Sequence, residues 1–246
     1  MSNTTVDKNM SLVSHLEELR TRFIIALIAV AITTTIAFVF SDTILAWLKV
    51  PAGDIILHVF SPMDGFFVKW RVALFTGISL AFPVWAYEVV AFISPGLTDY
   101  ERRIILPLVG VAFLLFLVGV GFGYYLLFGM INVLVALFGP QLEYFPAADA
   151  YMSFVTFFLL STGLAFELPV LLYALVRLHL ISLELLRKQR RYFYFGMFVF
   201  AEIITPIADP IVAPLTITLP MVVLYELTII IAGLSQRKKP APVSIK

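Results

Sequence analysis

The sequence predicts an all-α membrane protein with six transmembrane helices. Two observations carry that reading. Of the 246 residues, 61% are hydrophobic and only 13% charged, against about 25% charged in a typical soluble domain. The mean hydropathy is +0.99, so polar surface is too scarce to cover a water-soluble fold. The apolar residues are also gathered into six separate runs, and a helix needs about 20 of them to cross a hydrocarbon core. The chain has no cysteine, which excludes disulfides, thiolate metal sites and thiol catalysis.

The first run, Phe23–Phe40, follows a charged leader. In that leader Leu12, Leu16 and Leu19 recur at spacings of four and three, one face of a helix. Ser14 with Glu17 has the form of a capping box. The leader reads as a short amphipathic helix lying at the cytoplasmic interface; the bland alternative is an anchor whose charges only set topology. The run is longer than the apolar region of a secretory signal and no small-x-small cleavage site follows it, so it is expected to be retained as the first span.

The remaining spans are Phe66–Ile93, Ile104–Met130, Tyr151–Val176, Tyr192–Thr205 and Leu215–Gly233. With the N-terminus inside, every one of the 17 lysines and arginines except Lys49, Lys69 and Arg71 falls on the cytoplasmic side. Asp42, Asp54, Asp64, Glu143, Asp149 and Asp209 collect opposite. The positive-inside rule then makes both termini cytoplasmic, in a cell (inner or plasma) membrane. The fifth span reaches only about 21 Å, short of the roughly 30 Å core. Together with the sixth it forms a short pair joined by the shallow turn Pro206-Ile-Ala-Asp-Pro210. The chain divides into a leader (1–22), one six-helix domain (23–233) and a polar, disordered cytoplasmic tail (234–246).

Four acids stand out. Glu101 precedes Arg102 and Arg103 in the first inner loop; it either pairs with them and favours the helix N-terminus or serves a partner. Glu167, in Gly163-Leu-Ala-Phe-Glu-Leu-Pro169, lies near mid-bilayer, where a carboxyl costs several kcal/mol. It is a functional candidate, with a hydrogen-bonded structural carboxyl as the alternative. Glu202, deep in the fifth span, is placed in the same polar region, with a structural role the more economical reading. Glu226 lies near the inner end of the sixth. Gly119, Gly121 and Gly123 match small-residue helix packing. His15, His58 and His179 fall in different segments without metal-ligand spacing, and neither a nucleophile elbow nor a phosphate loop is present. No enzyme chemistry, cofactor or metal is expected.

Several stretches resemble one family. Ser14-His-Leu-Glu-Glu-Leu-Arg20, Phe92-Ile-Ser-Pro-Gly-Leu…Glu101-Arg-Arg103, Phe166-Glu-Leu-Pro169, and Thr205-Pro206-x-x-Asp209-Pro210 followed by Pro220 and Leu224-Tyr-Glu226 are similar to TatC, the multi-spanning component of the twin-arginine protein translocase. They occur in family order across nearly the whole chain. One departure is visible: Ile211-Val-Ala213 stands where members often carry a Ser/Thr-Gln pair. The resemblance implies a non-enzymatic receptor that binds twin-arginine signal peptides of folded cargo at the cytoplasmic face. It also implies recruitment of single-span TatA/TatB-type subunits for export driven by the protonmotive force.

On this resemblance Glu18 and Glu101 become the expected carboxylate contacts for the two arginines, with Arg20 organising the leader. A guanidinium fork suits a carboxylate. Glu167 and Glu202 become intramembrane partner contacts on a concave, membrane-facing surface, and Thr205, Pro206 and Asp209 an outer-turn motif. Other expected partners are the lipid bilayer and further copies of the chain, and no nucleic acid. The rival class, a secondary transporter using Glu167 and Glu202 as proton carriers, lacks an inverted repeat.

Overall fold

A computed structural model describes residues 12–96, 98–137, 145–205 and 212–237. Among them the regular structure is helical, with one isolated parallel bridge between His58 and Ala147. The helices are α1 (Leu12–Val39), α2 (Ser41–Lys49), α3 (Asp64–Leu80), α4 (Phe82–Ile93), α5 (Asp99–Leu137), α6 (Ala148–Ala165), α7 (Leu168–Arg177), α8 (Leu183–Lys188), α9 (Arg190–Ile204) and α10 (Val212–Arg237). Short 3-10 turns occupy Val50–Ala52 and Ser94–Gly96.

Among the described residues four stretches are long and apolar enough to cross a membrane alone: Val13–Val39, Glu101–Val133, Ala148–Arg177 and Pro214–Ser235. The pair α3 and α4 makes a fifth if a 52° bend is counted within one span. That bend corrects the unbroken second span expected from hydropathy. Pro83 sits in the first turn of α4, and without an N–H it cannot bond the carbonyl four residues back. The Trp85 indole donates to the Ile78 carbonyl at 3.2 Å beside the break, the kind of substitute that lets a broken helix persist in lipid.

The leader is a further correction. It is not a separate interfacial helix: α1 runs without interruption from Leu12 to Val39. Ser14 therefore lies inside the helix and is not its cap. The continuous α1 packs antiparallel along α3 and then α4. Phe38 meets Trp70 at 6.4 Å, the Thr33 hydroxyl donates to the Gly77 carbonyl at 2.8 Å, Arg22 reaches Glu88 and His15 stacks on Phe92 at 4.4 Å.

Of the last two helices, one differs from expectation. α9, at 15 residues, is short as predicted, about 22 Å. α10 is not: its 26 residues carry through Pro220 and on to Arg237. Residues 206–211 and 238–246, with the turn motif's Pro206 and Asp209, lie outside the described residues.

α6 lies at the centre. Met152, Val155 and Phe158 are fully buried, and α5 approaches through small residues, as membrane helices that gain nothing from a hydrophobic drive must. A Cβ on Gly119 would fall 2.8 Å from Phe166 Cβ, and one on Gly123 2.3 Å from Thr162 Oγ1. Gly121, grouped with them on sequence, faces open space. At the end opposite the chain start, Lys69 pairs with Asp42 at 2.7 Å and Arg71 with the Asp149 side chain. Tyr124 donates to the Trp47 carbonyl at 2.9 Å, fixing α2 to α5.

The tightest crossing is α1 on α3, where a Cβ at Gly77 would stand 2.1 Å from Thr34 Oγ1 and 2.6 Å from Thr34 Cα. Gly77→Ala is expected to cost about 1–3 kcal/mol and to lower the thermal midpoint of the detergent-solubilised protein. Gly121→Ala should leave the midpoint unchanged or higher, because it only removes a flexible glycine from a helix. Equal midpoints for the two variants would contradict the close crossing.

Candidate functional site

At the end of the bundle where α1 begins, α4 finishes and α5 starts, a set of ionic side chains is held by three helices. Glu18 and Arg22 lie one turn apart on α1, the spacing that makes neighbours on a helix surface. Arg22 donates from Nε (2.9 Å) and Nη2 (2.8 Å) to the same oxygen, Oε1, of Glu18. Its Nη1 donates to Oε2 of Glu88 on α4 at 3.0 Å. Glu88 is 8% exposed. Such a carboxyl persists at this depth because the guanidinium meets it with short, charge-assisted bonds. The second oxygen of Glu18, Oε2, is buried and receives no hydrogen bond.

Of the residues singled out on sequence, Glu18 is therefore in this cluster, while Arg20 is exposed and faces away from it. Glu88 and Arg22 were missed as site residues. The signal for Glu88 was present: an acid inside the apolar run Phe66–Ile93, the same anomaly that singled out Glu167. Its partner is 66 positions away, a pairing no local pattern reveals.

Glu101 stands at the start of α5, where the chain returns from the Ser94–Gly96 turn. Its Oε2 accepts from the Thr98 backbone N–H (2.9 Å) and hydroxyl (2.8 Å), and its own N–H donates to Thr98 Oγ1 at 3.3 Å. This reciprocal arrangement is a capping box. The helix-terminus role set against a partner role on sequence is thus present, and it fixes where this carboxylate sits.

Glu167 lies between α6 and α7, at the second break. Pro169 occupies the first turn of α7 and removes the donor that would continue the ladder. Glu167 lines two apolar grooves on opposite sides of this break. One, of about 570 Å³, runs beside Leu168, Leu171, Phe193, Met197, Phe200 and Met221. The other, of about 340 Å³, lies against Phe82, Trp85, Val109, Ala112 and Val170. Its Oε1 is buried and makes no hydrogen bond. An unpaired carboxyl oxygen among apolar side chains is costly, so the group is suited to receive a donor from elsewhere.

Glu202, expected beside Glu167, lines neither groove and is exposed on α9. Thr205 closes α9 with its hydroxyl donating to the Ala201 carbonyl at 2.6 Å. Glu226 joins α10 to the start of α9: Arg190 pairs with it at 2.9 Å and the Tyr194 hydroxyl donates to it. The adjacent Tyr225, fully buried, donates to the Leu186 carbonyl at 2.7 Å.

Comparison with known proteins gives one consistent answer. The profile described as Sec-independent protein translocase protein (TatC) matches residues 14–220. A relative of that name from Frankia casuarinae is 36% identical, covering 96% of this chain and 69% of its own. Another from Listeria innocua is 35% identical over 97% of both. The crystal structure of the twin-arginine translocase receptor TatC in DDM superposes with a TM-score of 0.77 at 34% identity, over 89% of this chain and 99% of that one.

The capping role of Glu101 makes its substitutions separable. Glu101→Ala should lose the box and cost about 1 kcal/mol, seen as a lower thermal midpoint. Glu101→Gln keeps the hydrogen-bond geometry that a capping box allows and should hold the wild-type midpoint. Equal destabilisation by both would show that charge, not capping, holds the start of α5.

Proposed function

Because the chain belongs to the Sec-independent protein translocase (TatC) family, a translocase component and not an enzyme, we propose that it is the receptor of a twin-arginine export system in a cell inner or plasma membrane. Six helices cross the bilayer in this reading, α3 with α4 as the second and the short α9 as the fifth. Both termini are cytoplasmic, as the lysine and arginine distribution requires. The acid-bearing end formed by α1, α4 and α5 then faces the cytoplasm, where a signal peptide arrives.

The observation that carries the proposal is Glu18: a carboxylate at the water boundary with one oxygen on Arg22 and the other buried without a donor. A signal arginine supplies the planar donor set this oxygen lacks. Glu101 serves the second arginine, its orientation fixed by Thr98 and its charge set beside the mouth of α5. Arg20, exposed, acts at the rim. Exposed ion pairs contribute only about 0–1 kcal/mol each, so the apolar part of the signal peptide supplies further affinity by lying along the helices.

Glu167 and the groove between α7 and α9 form the concave surface that takes the single-span TatA/TatB-type helices. A polar side chain on such a helix would satisfy the unpaired Oε1, and the groove's aromatic and aliphatic walls match an apolar helix. The short α9 thins the wall there. The complex holds further copies of the chain, and transport draws on the protonmotive force. Glu202 faces away from this groove, which removes the paired-carboxyl arrangement a proton-coupled small-solute carrier would use.

Glu18→Gln and Glu101→Gln are expected to weaken crosslinking to a twin-arginine signal peptide by about two- to fivefold each. A twin-lysine peptide should bind the wild-type protein no better than the variants bind the arginine form. Unchanged crosslinking in both variants would remove the assigned site. Glu167→Ala should retain signal binding while co-purification of single-span subunits and cargo export are lost; normal export by this variant would rule out the intramembrane role.

A further inference from the structure

The receptor reading leaves one arrangement unexplained: the acid meant for a guest arginine already holds an arginine of this chain. Arg22 spends two of its donors, Nε and Nη2, on Glu18 Oε1 and one, Nη1, on Glu88 Oε2. A structural ion pair on a helix surface needs only the i,i+4 partner. Here a second, nearly buried carboxylate is brought from α4 to the same guanidinium, and His15 stacked on Phe92 clamps the two helices further along.

We infer that Arg22 is an internal stand-in for the signal's guanidinium, occupying Glu18 in the unliganded receptor, and that Glu88 is the residue that keeps Arg22 when the guest displaces it. The inference rests on Glu18 being the acceptor proposed above. An arginine displaced at the membrane boundary with no second acceptor would give up its charge-assisted bonds, with a side chain only 28% exposed to regain them from water. Glu88 removes that cost. Its Oε2 is already bonded to Nη1, and its second carboxylate oxygen can accept the fork that leaves Glu18. The guest arginine's fork takes the place of Arg22 on Oε1 and reaches Oε2, so Glu18 keeps a charge-assisted partner and its second oxygen gains the donor it lacks.

The same competition makes Arg22 a specificity residue. A guest arginine offers a planar fork equivalent to the one it displaces; a guest lysine offers a compact, strongly hydrated point charge. Lysine must therefore displace a better partner of Glu18 than it can itself be. Discrimination arises from an internal competitor as well as from direct affinity, an instance of selecting against the wrong ligand.

The test measures binding of a labelled twin-arginine signal peptide and its twin-lysine variant to the detergent-solubilised full chain by fluorescence anisotropy. Arg22→Gln should bind the arginine peptide about two- to fivefold more tightly than wild type. It should tighten on the lysine peptide by more, so the ratio between the two narrows. Glu88→Gln alone should weaken arginine-peptide binding about threefold, because Arg22 then depends on Glu18 alone. The double variant R22Q/E88Q should behave as Arg22→Gln, since Glu88 acts only through Arg22; it also decides the matter if the single Arg22 variant fails to fold. A purely structural role predicts weaker binding in all three. If wild type binds both peptides alike and Glu18→Gln changes nothing, the receptor site itself is wrong. If wild type discriminates and Glu18→Gln weakens binding, but neither Arg22→Gln nor the double variant tightens it, the stand-in is wrong and the receptor stands.

Discussion

In lipid a backbone carbonyl that loses its donor finds no water to replace it, and this protein is organised around the places where that happens. Pro83 and Pro169 each remove an N–H from an otherwise continuous apolar helix. Neighbouring side chains attend both breaks: Trp85 donates into the first, and Phe116 packs on Gly163 just before the second. Each break also places an acid. The bend between α3 and α4 keeps α4 along α1, so that Glu88 reaches Arg22; the break after α6 puts Glu167 between two grooves.

What holds the bundle between the breaks is close approach and the disposal of hydroxyls. Gly77, Gly119, Gly123 and Gly163 let backbones meet where any side chain would collide. Thr33, Thr156, Thr162, Thr218 and Thr228 donate to carbonyls one turn back in their own helices. These residues therefore add packing volume without leaving a polar atom unpaired. Thr34 and Thr76 are exceptions: the hydroxyl of each is buried without a partner, that of Thr34 against Gly77.

The helical class and four of the membrane-length runs, or five with the bent pair, were legible in the sequence, because hydropathy over some 20 residues is a strong signal. The bend at Ala81 was not, although Pro83 was in view, because the same residue type inside α5 (Pro107) and α10 (Pro220) leaves those helices continuous. Whether a proline breaks a helix depends on what neighbours supply. The leader's periodicity is helical, as expected, but its boundary is not, because the change from polar to apolar at Phe23 resembles an end when no partner is known. α3 and α4, lying along its whole length, make α1 one element. Glu101 and Glu167 stood out one at a time as acids in unusual places, and Glu18 only through the family resemblance. The Arg22 link between Glu18 and Glu88 is a tertiary fact, and so is the distance of Glu202 from the groove that Glu167 lines.

The uneven burial of the spans sets how the molecule is put together as it is made. Only 11% of the membrane-length window of α1 is covered by the rest of the protein, against 50% for the stretch formed by α6 and α7. The first helix can enter the bilayer alone and wait there with most of its surface in lipid; its close contacts with α3 and α4 form afterwards. The central one cannot, because its glycine and threonine contacts are made against α5, and α5 precedes it in the chain. Emergence of the fourth hydrophobic segment from the ribosome is thus the moment at which loosely associated helices become a cooperative unit, with α9 and α10 added to a bundle already closed.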